Sequence, residues 1–284
     1  MINFGIRNLK VFFKDKAAVF FSLLAVFIII GLYALFLGDV WTSNFEGTPG
    51  IRFLMDSWIV AGLLSVTSVT TTMGAYGILV EDKTKKKDKD FIASPVKNSS
   101  LVGGYIFGAI IIGLVMCLVT LLLAEIYIVA NGGAWMSVPV LIKTLGLIVL
   151  STVVNSSIVV FVVSFFKSAN AFATASTIIG TLIGFITGIY LPIGTLPDAV
   201  QWVVKCFPVS HSAVLFRQVL METPMATSFA GAPDQMVTEF RQLMGVEFEY
   251  SGTVASPLAS AVILLVTAAI FYGLSVLNLS RKRK

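Results

Sequence analysis

Long apolar blocks alternate with short charged or proline-broken stretches along the whole chain. Residues 57–80 carry no charged side chain, and neither do residues 98–124, 144–166, 168–197 or 250–280. A bilayer core about 30 Å thick takes about 20 helical residues, so each block is long enough to cross. With residues 17–38, the pattern predicts six spanning helices. The fifth is expected to stop near Tyr190, before Pro192 and Pro197. Ahead of the first block, Ile2, Ile6, Leu9 and Phe13 recur at helical spacing opposite Arg7, Lys10 and Lys14. That pattern suits a helix over residues 1–16 lying in the membrane interface.

The stretches between blocks are of three kinds. Residues 39–56, 131–139 and 223–252 read as loops on one side, the last with a short amphipathic helix over 233–244. That helix puts Met236, Val237, Phe240, Leu243 and Met244 on one face. Residues 81–100 and the turn at Lys167, Ser168 and Asn170 read as loops on the other side. Residues 188–222 are apolar but broken by Pro192, Pro197 and Pro208, and neither half is long enough to cross. Two short re-entrant helices are expected there, because irregular backbone at membrane depth must be buried in protein or line a wet cavity. Asp198 is placed to cap the first helix and Ser210 the second. Trp202, Phe207 and Phe216 suit the interfacial belt, and Arg217 is expected to keep its head wet.

Charge orients this layout. Residues 81–100, EDKTKKKDKDFIASPVKNSS, hold Lys83, Lys85, Lys86, Lys87, Lys89 and Lys97. The first 16 residues hold four basic side chains and the last four residues are all basic. On the opposite side only Arg52, Lys143, Lys205, Arg217 and Arg241 are found. By the positive-inside rule both termini and the lysine-rich loop are cytoplasmic. The 284 residues are 57% hydrophobic and only 12% charged, about half the charge of a soluble domain. The fold class is therefore an all-α polytopic membrane protein, one transmembrane domain over 1–284. The net charge of +5 sits beside membrane segments, where it meets anionic lipid rather than nucleic acid. Cys117 and Cys206 are expected as free thiols.

Little in the chain points to catalysis. There is no P-loop, no Rossmann fingerprint and no H-E-x-x-H, and the single His211 excludes a histidine-based metal cluster. His211 reads as a polar residue at an interface or helix start, against a proton-sensing role. Glu125 is the one acid inside an apolar block, placed near the outer headgroups, which gives proton-coupled transport little support. Ser68, Thr71, Thr72 and Asn155 are candidates to line a path; the alternative is interhelical hydrogen bonding, worth about 0.6 kcal/mol each. Gly180, Gly184 and Gly188 stand four residues apart, a face that lets helix backbones approach closely.

Two stretches carry a resemblance. Residues 91–104, FIASPVKNSSLVGG, resemble the segment between helices two and three of ABC-2 family permeases. Gly188, Pro192, Leu196, Pro197, Pro208 and Arg217 are similar to the family's second signature, after helix five. With the six-helix layout, the resemblance covers nearly the whole chain. It implies one transmembrane half of an ATP-driven exporter, paired with a second permease, the same or homologous, and served by two ABC ATPase subunits. ATP and Mg would sit on those subunits, and this chain would hold no cofactor. The loop would dock as a coupling helix through Lys85, Lys86, Lys87, Asp90, Phe91, Ser94 and Pro95. Pro192, Pro197, Trp202, Pro208, His211 and Arg217 would form an outer gate. The resemblance places the chain in a plasma membrane, of a bacterium. Uncharged helices dotted with Ser and Thr favour an apolar or amphipathic cargo such as a drug, antimicrobial peptide, toxin or lipid-like molecule. Lipid-linked glycan or teichoic acid is the alternative within the family. Outside it, a secondary transporter or channel would want inverted repeats and midplane ionisable groups, and apart from Glu125 the sequence has neither.

Overall fold

A computed structural model describes residues 1–43, 45, 47–87, 98–250 and 252–281. Helix α1 (Ile2–Lys14) is the amphipathic N-terminal helix. The first apolar block is not one rod. It is split into α2 (Lys16–Ser22) and α3 (Leu24–Leu32), bent by 42°, then a π-helical turn (Tyr33–Leu37) and α4 (Gly38–Ser43). Asp15 caps α2 by accepting from Ala18 N–H at 3.0 Å. Ser22 donates back to the Ala18 carbonyl at 2.6 Å just before the break, a geometry that bends helices.

The spine of the molecule is α5 (Ile51–Thr84), 34 residues and about 51 Å long at a helical rise of about 1.5 Å. It begins six residues before the expected Ser57 and runs into the charged stretch, so residues 39–56 are part helix rather than a loop. Arg52 and Asp56 form an i,i+4 ion pair (3.3 Å) in its first turns. Nearly every residue from Leu54 to Val69 is buried. Around α5 pack α6 (Asn98–Ala130), α7 (Val138–Val163), α8 (Ala169–Ile186) and, beyond α9 (Asp198–Cys206), α10 (Pro208–Leu220). Lys143 lies in the first turns of α7, with its ammonium on Glu222 at 3.0 Å. The chain continues through α11 (Glu222–Ser228), α12 (Asp234–Leu243), an antiparallel pair of two-residue strands (Glu249–Tyr250 and Thr253–Val254) and α13 (Pro257–Arg281), which packs on α7 and α10.

Among the described residues five helices, α5 to α8 and α13, are long and apolar enough to cross a membrane. The bent pairs α2–α3 and α9–α10 raise the number to as many as seven if each is one span. The protein is an all-α polytopic membrane protein. Its two ends differ: α5 leaves the bundle at Lys83–Lys87, and α9 to α12 cover the far end.

At the lysine-bearing end one carboxylate ties three helices. Asp82, in the last turns of α5, is 2% exposed. It accepts from Arg7 of α1 at 2.6 and 3.1 Å and from the Tyr105 hydroxyl of α6 at 2.8 Å. Beside it α1 lies close on α6: a Cβ on Gly5 would meet the Phe107 ring at 2.5 Å and the Gly104 carbonyl at 3.3 Å. Sequence reading placed Asp82 in a solvated charge run; its partners come from residues 75 and 23 positions away. Replacing it removes the ion pair of a half-buried guanidinium and the acceptor of the buried Tyr105 hydroxyl. Asp82→Ala is expected to cost about 2 kcal/mol and to free α1 for limited proteolysis, read as a lower Tm in detergent and a new N-terminal cleavage. Asp82→Asn should fall between the two.

Candidate functional site

Three regions can act: the lysine-bearing end, the far-end cover, and a groove between them. At the first, α5 closes on Lys85, whose ammonium pairs with Glu81 one turn back. Lys86 then turns the chain through the left-handed region (φ 58°), and Lys85, Lys86 and Lys87 are all exposed. Asp90, Phe91, Ser94 and Pro95 lie outside the described residues. A cluster of ammonium groups thus stands directly beyond the Arg7–Asp82–Tyr105 contact, so a load on it bears on α1, α5 and α6 together.

The far end is built on Arg217. It is 0% exposed, and its guanidinium lies 4.9 Å over the Trp58 ring of α5. It donates to the carbonyls of Thr187 (2.8 Å), Gly188 (3.1 Å) and Gly245 (3.3 Å). These carbonyls mark the C-termini of two helices, and both termini close in the same way. At the end of α8, Gly188 (φ 69°) donates to Phe185 and Ile189 to Gly184. At the end of α12, Gly245 (φ 63°) donates to Gln242 and Val246 to Arg241. Each is a Schellman turn, which needs a left-handed residue that glycine adopts without strain. Each leaves terminal carbonyls free at the negative pole of its helix, where a cation is favoured. Arg217 takes both poles, and the Trp58 indole N–H takes the remaining Met244 carbonyl at 2.7 Å. The expected wet arginine head is therefore wrong. The carbonyls and the ring face replace water around it.

Between the two ends runs a groove of about 570 Å³, walled by α2 and α3 on one side and by α5 and α8 on the other. Phe21, Leu24, Ile28, Met73, Phe172 and Ile179 line it, and no lining residue is charged. Of the eighteen residues of α8, only Ile183 and Gly184 are buried. A family profile described as "ABC-2 family transporter protein" matches residues 37–277. The chain belongs to the ABC-2 transporter family. No curated protein matches it. Membership makes the chain a permease, the membrane component of an ABC transporter, a class that works with ABC ATPases and is not generally catalytic itself.

The permease places the remaining sequence candidates as follows. Pro192 precedes a single 3-10 turn (Ile193–Thr195), Pro197 is the residue before α9, and Pro208 opens α10. The two short helices meet at 91°. Asp198 is the first residue of α9 rather than its cap, and its side chain makes no capping bond. Ser210 does not cap α10 either; its hydroxyl donates back to the Val204 and Phe207 carbonyls, both at 2.6 Å, and so fastens the bend. Trp202 is 65% exposed and Phe207 also shows, as the interfacial reading expects, but Phe216 is fully buried against α5 and α6. His211 is in the first turn of α10, buried, with Ser260 and the Lys205 carbonyl each at 3.1 Å. On α12 only Phe240, with Met244 at its end, is buried, while Met236 stands exposed.

Gly180, Gly184 and Gly188 do not share one helix-packing face within the chain. A Cβ on Gly180 would meet nothing, one on Gly184 would strike the Tyr190 ring, and Gly188 lies past the helix end. Ser68, Thr71, Thr72 and Asn155 are buried. Asn155 donates to Ser68 Oγ at 2.6 Å between α7 and α5, and Thr71 and Thr72 bond back to their own helix. A second bond, Tyr76 to Ser156 at 2.8 Å, closes the same seam. Sequence reading missed Trp58 as the partner of Arg217; the signal available was an aromatic indole in an uncharged block.

Arg217→Leu is expected to strip three carbonyls of their donor and to lower stability by about 3 kcal/mol. Arg217→Lys, a point charge that cannot span two helix ends, should lose part of that. Thermal unfolding of the detergent-solubilised protein measures both, and equal Tm values for wild type and Arg217→Leu would remove the clamp.

Proposed function

We propose that this permease is one transmembrane half of an ATP-driven exporter in a plasma membrane, that of a bacterial cell. It pairs with a second permease, the same or homologous, and each half rests on one of two ABC ATPase subunits that carry ATP and Mg. The observation that carries this reading is the uncharged groove beside a helix, α8, that its own chain leaves almost uncovered. Pairing through α8 would close the groove into a path walled by two chains. Its apolar lining supports an apolar or amphipathic cargo such as a drug, antimicrobial peptide, toxin or lipid-like molecule. A polyanionic glycan or teichoic acid would call for basic lining.

In this reading α2–α3 is one bent span, which with α5 to α8 and α13 makes six. The lysine-bearing end and both termini are cytosolic, following the charge asymmetry. The pair α9–α10 turns back within the outer leaflet, and Pro192, Pro197, Trp202, Pro208, His211 and Arg217 form the hinge and anchor of a cover over the exit. Lys85, Lys86 and Lys87, with Asp90, Phe91, Ser94 and Pro95, form the contact to the ATPase. Gly180 and its neighbours are where the second permease approaches.

Two measurements test this. Charge reversal of Lys85, Lys86 and Lys87 to Glu should leave the chain inserted but uncouple ATP hydrolysis from export in liposomes containing the ATPase; unchanged coupling would sink the docking role. In a chain with Cys117 and Cys206 changed to Ser, Gly180→Cys should form a disulfide-linked pair in membranes under mild oxidation. A control cysteine at Leu265, exposed on α13, should not. Cross-linking at Leu265 and none at Gly180 would place the partner elsewhere.

A further inference from the structure

Glu125 is a carboxylate without a counter-ion. It sits near the far end of α6 and is 7% exposed. One oxygen accepts from the Met136 backbone N–H at 3.0 Å. Among the described residues no basic side chain pairs with it. Basic groups of that end on neighbouring elements are committed elsewhere: Lys143 to Glu222, Arg52 to Asp56, Tyr127 and Asn131, and Arg217 to the carbonyls of Thr187, Gly188 and Gly245. Beside the carboxylate lies a cavity of about 70 Å³, walled by Phe53, Val60, Ile128, Trp135 and Leu220. Ser57 also lines it; its hydroxyl donates to the Phe53 carbonyl and keeps its oxygen lone pairs as acceptors. A buried charge is costly unless it is paired and hydrogen-bonded, and one backbone N–H does not neutralise it.

We propose that this cavity binds a primary alkylammonium group. The chemistry of the walls selects it. One negative charge asks for one positive charge. Glu125 and the hydroxyls of Ser57, Ser137 and Thr223 along the walls match the N–H donors of an ammonium, and Trp135 and Phe53 are aromatic neighbours of the kind that favour a cation. A calcium ion takes six to eight oxygen ligands, and no group of three His, Cys, Asp or Glu stands together among the described residues. A water needs roughly 10–15 Å³ of such space, so the cavity holds a headgroup and not a whole amphiphile. The carbon chain leaves past Trp135, which is 65% exposed. Such a group is carried by a soluble alkylamine and equally by the ethanolamine headgroup of a phospholipid. The site goes beyond the export reading, and its test needs no ATPase and no transport.

The full-length chain is purified in detergent and its thermal unfolding followed against propylammonium chloride, with sodium chloride and tetramethylammonium chloride as controls. The variant Glu125→Gln keeps an acceptor for Met136 and removes the charge. Propylammonium is expected to raise the wild-type Tm saturably, and tetramethylammonium, which has no N–H, is not. In Glu125→Gln the half-saturating concentration should rise about tenfold or more, as a charge-assisted hydrogen bond is lost. Nanodiscs of phosphatidylglycerol, with and without phosphatidylethanolamine, separate the sources. If phosphatidylethanolamine raises the wild-type Tm over that of the variant and blunts the propylammonium response, the lipid headgroup is the ligand. If that response is unaltered by the lipid, a free amine is. The absence of a saturable shift, equal shifts in both chains, or an equal effect of tetramethylammonium overturns the proposal. So does a Tm that depends on Glu125 through pH alone, which would make a proton the occupant.

Discussion

The far half of the molecule depends on one buried cation. Helix C-termini are hard to bury, because each leaves carbonyls that need donors. This permease buries two of them side by side, at the ends of α8 and α12, and answers both with the fork of Arg217. A lysine offers one compact point charge, whereas a guanidinium reaches carbonyls in two directions and still lies flat on an indole. Trp58 completes the arrangement and attaches it to α5. The result is that α10, which carries Arg217, cannot shift without disturbing α5, α8 and α12 at once. Among the described residues no carboxylate forms an ion pair with Arg217. Its stabilisation comes from helix poles and the ring face.

Helix α5 joins that cluster to the other end. Trp58 and Asp82 stand about 36 Å apart along one unbroken helix, given its rise of about 1.5 Å per residue. At Asp82 the helix is fixed to α1 and α6; at Trp58 it is fixed to α10 and α12. Between them it is buried almost throughout, so packing on every side holds it against bending. That geometry suits a permease of a class that works with ABC ATPases.

The apolar blocks were legible because bilayer thickness sets a length that sequence shows directly. The block read as uncharged over residues 98–124, for example, is helical over Asn98–Ala130. The break between α9 and α10 was legible too, since Pro208 cannot continue a helix from Phe207. What sequence hid were contacts between distant ends. Arg217 looks like any arginine near an aqueous end, and only the convergence of Gly188 and Gly245 makes it buried. Asp82 looks like one acid in a solvated run, until Arg7 arrives from another helix. The bend at Leu23 was hidden for another reason: a single Ser22 back-bond decides it, and hydropathy does not register that.

The polar residues of α5 and α7 carry the last step. In water a Thr or Asn within an apolar helix would mark a wet surface. Here Asn155 donates to Ser68 and Tyr76 pairs with Ser156 across the seam, while the Ser68 hydroxyl donates back to the Ser65 carbonyl, so the two helices are tied to each other directly. The hydroxyls of α8 behave differently: Thr174, Thr177 and Thr181 each bond back to their own helix at about the i−4 position, which lowers the cost of leaving them uncovered. An exposed helix face that has already satisfied its own polar groups can meet lipid, a cargo molecule or another chain without first breaking hydrogen bonds. The seam between α5 and α7, whose bonds have partners on two helices, can only be opened by breaking them.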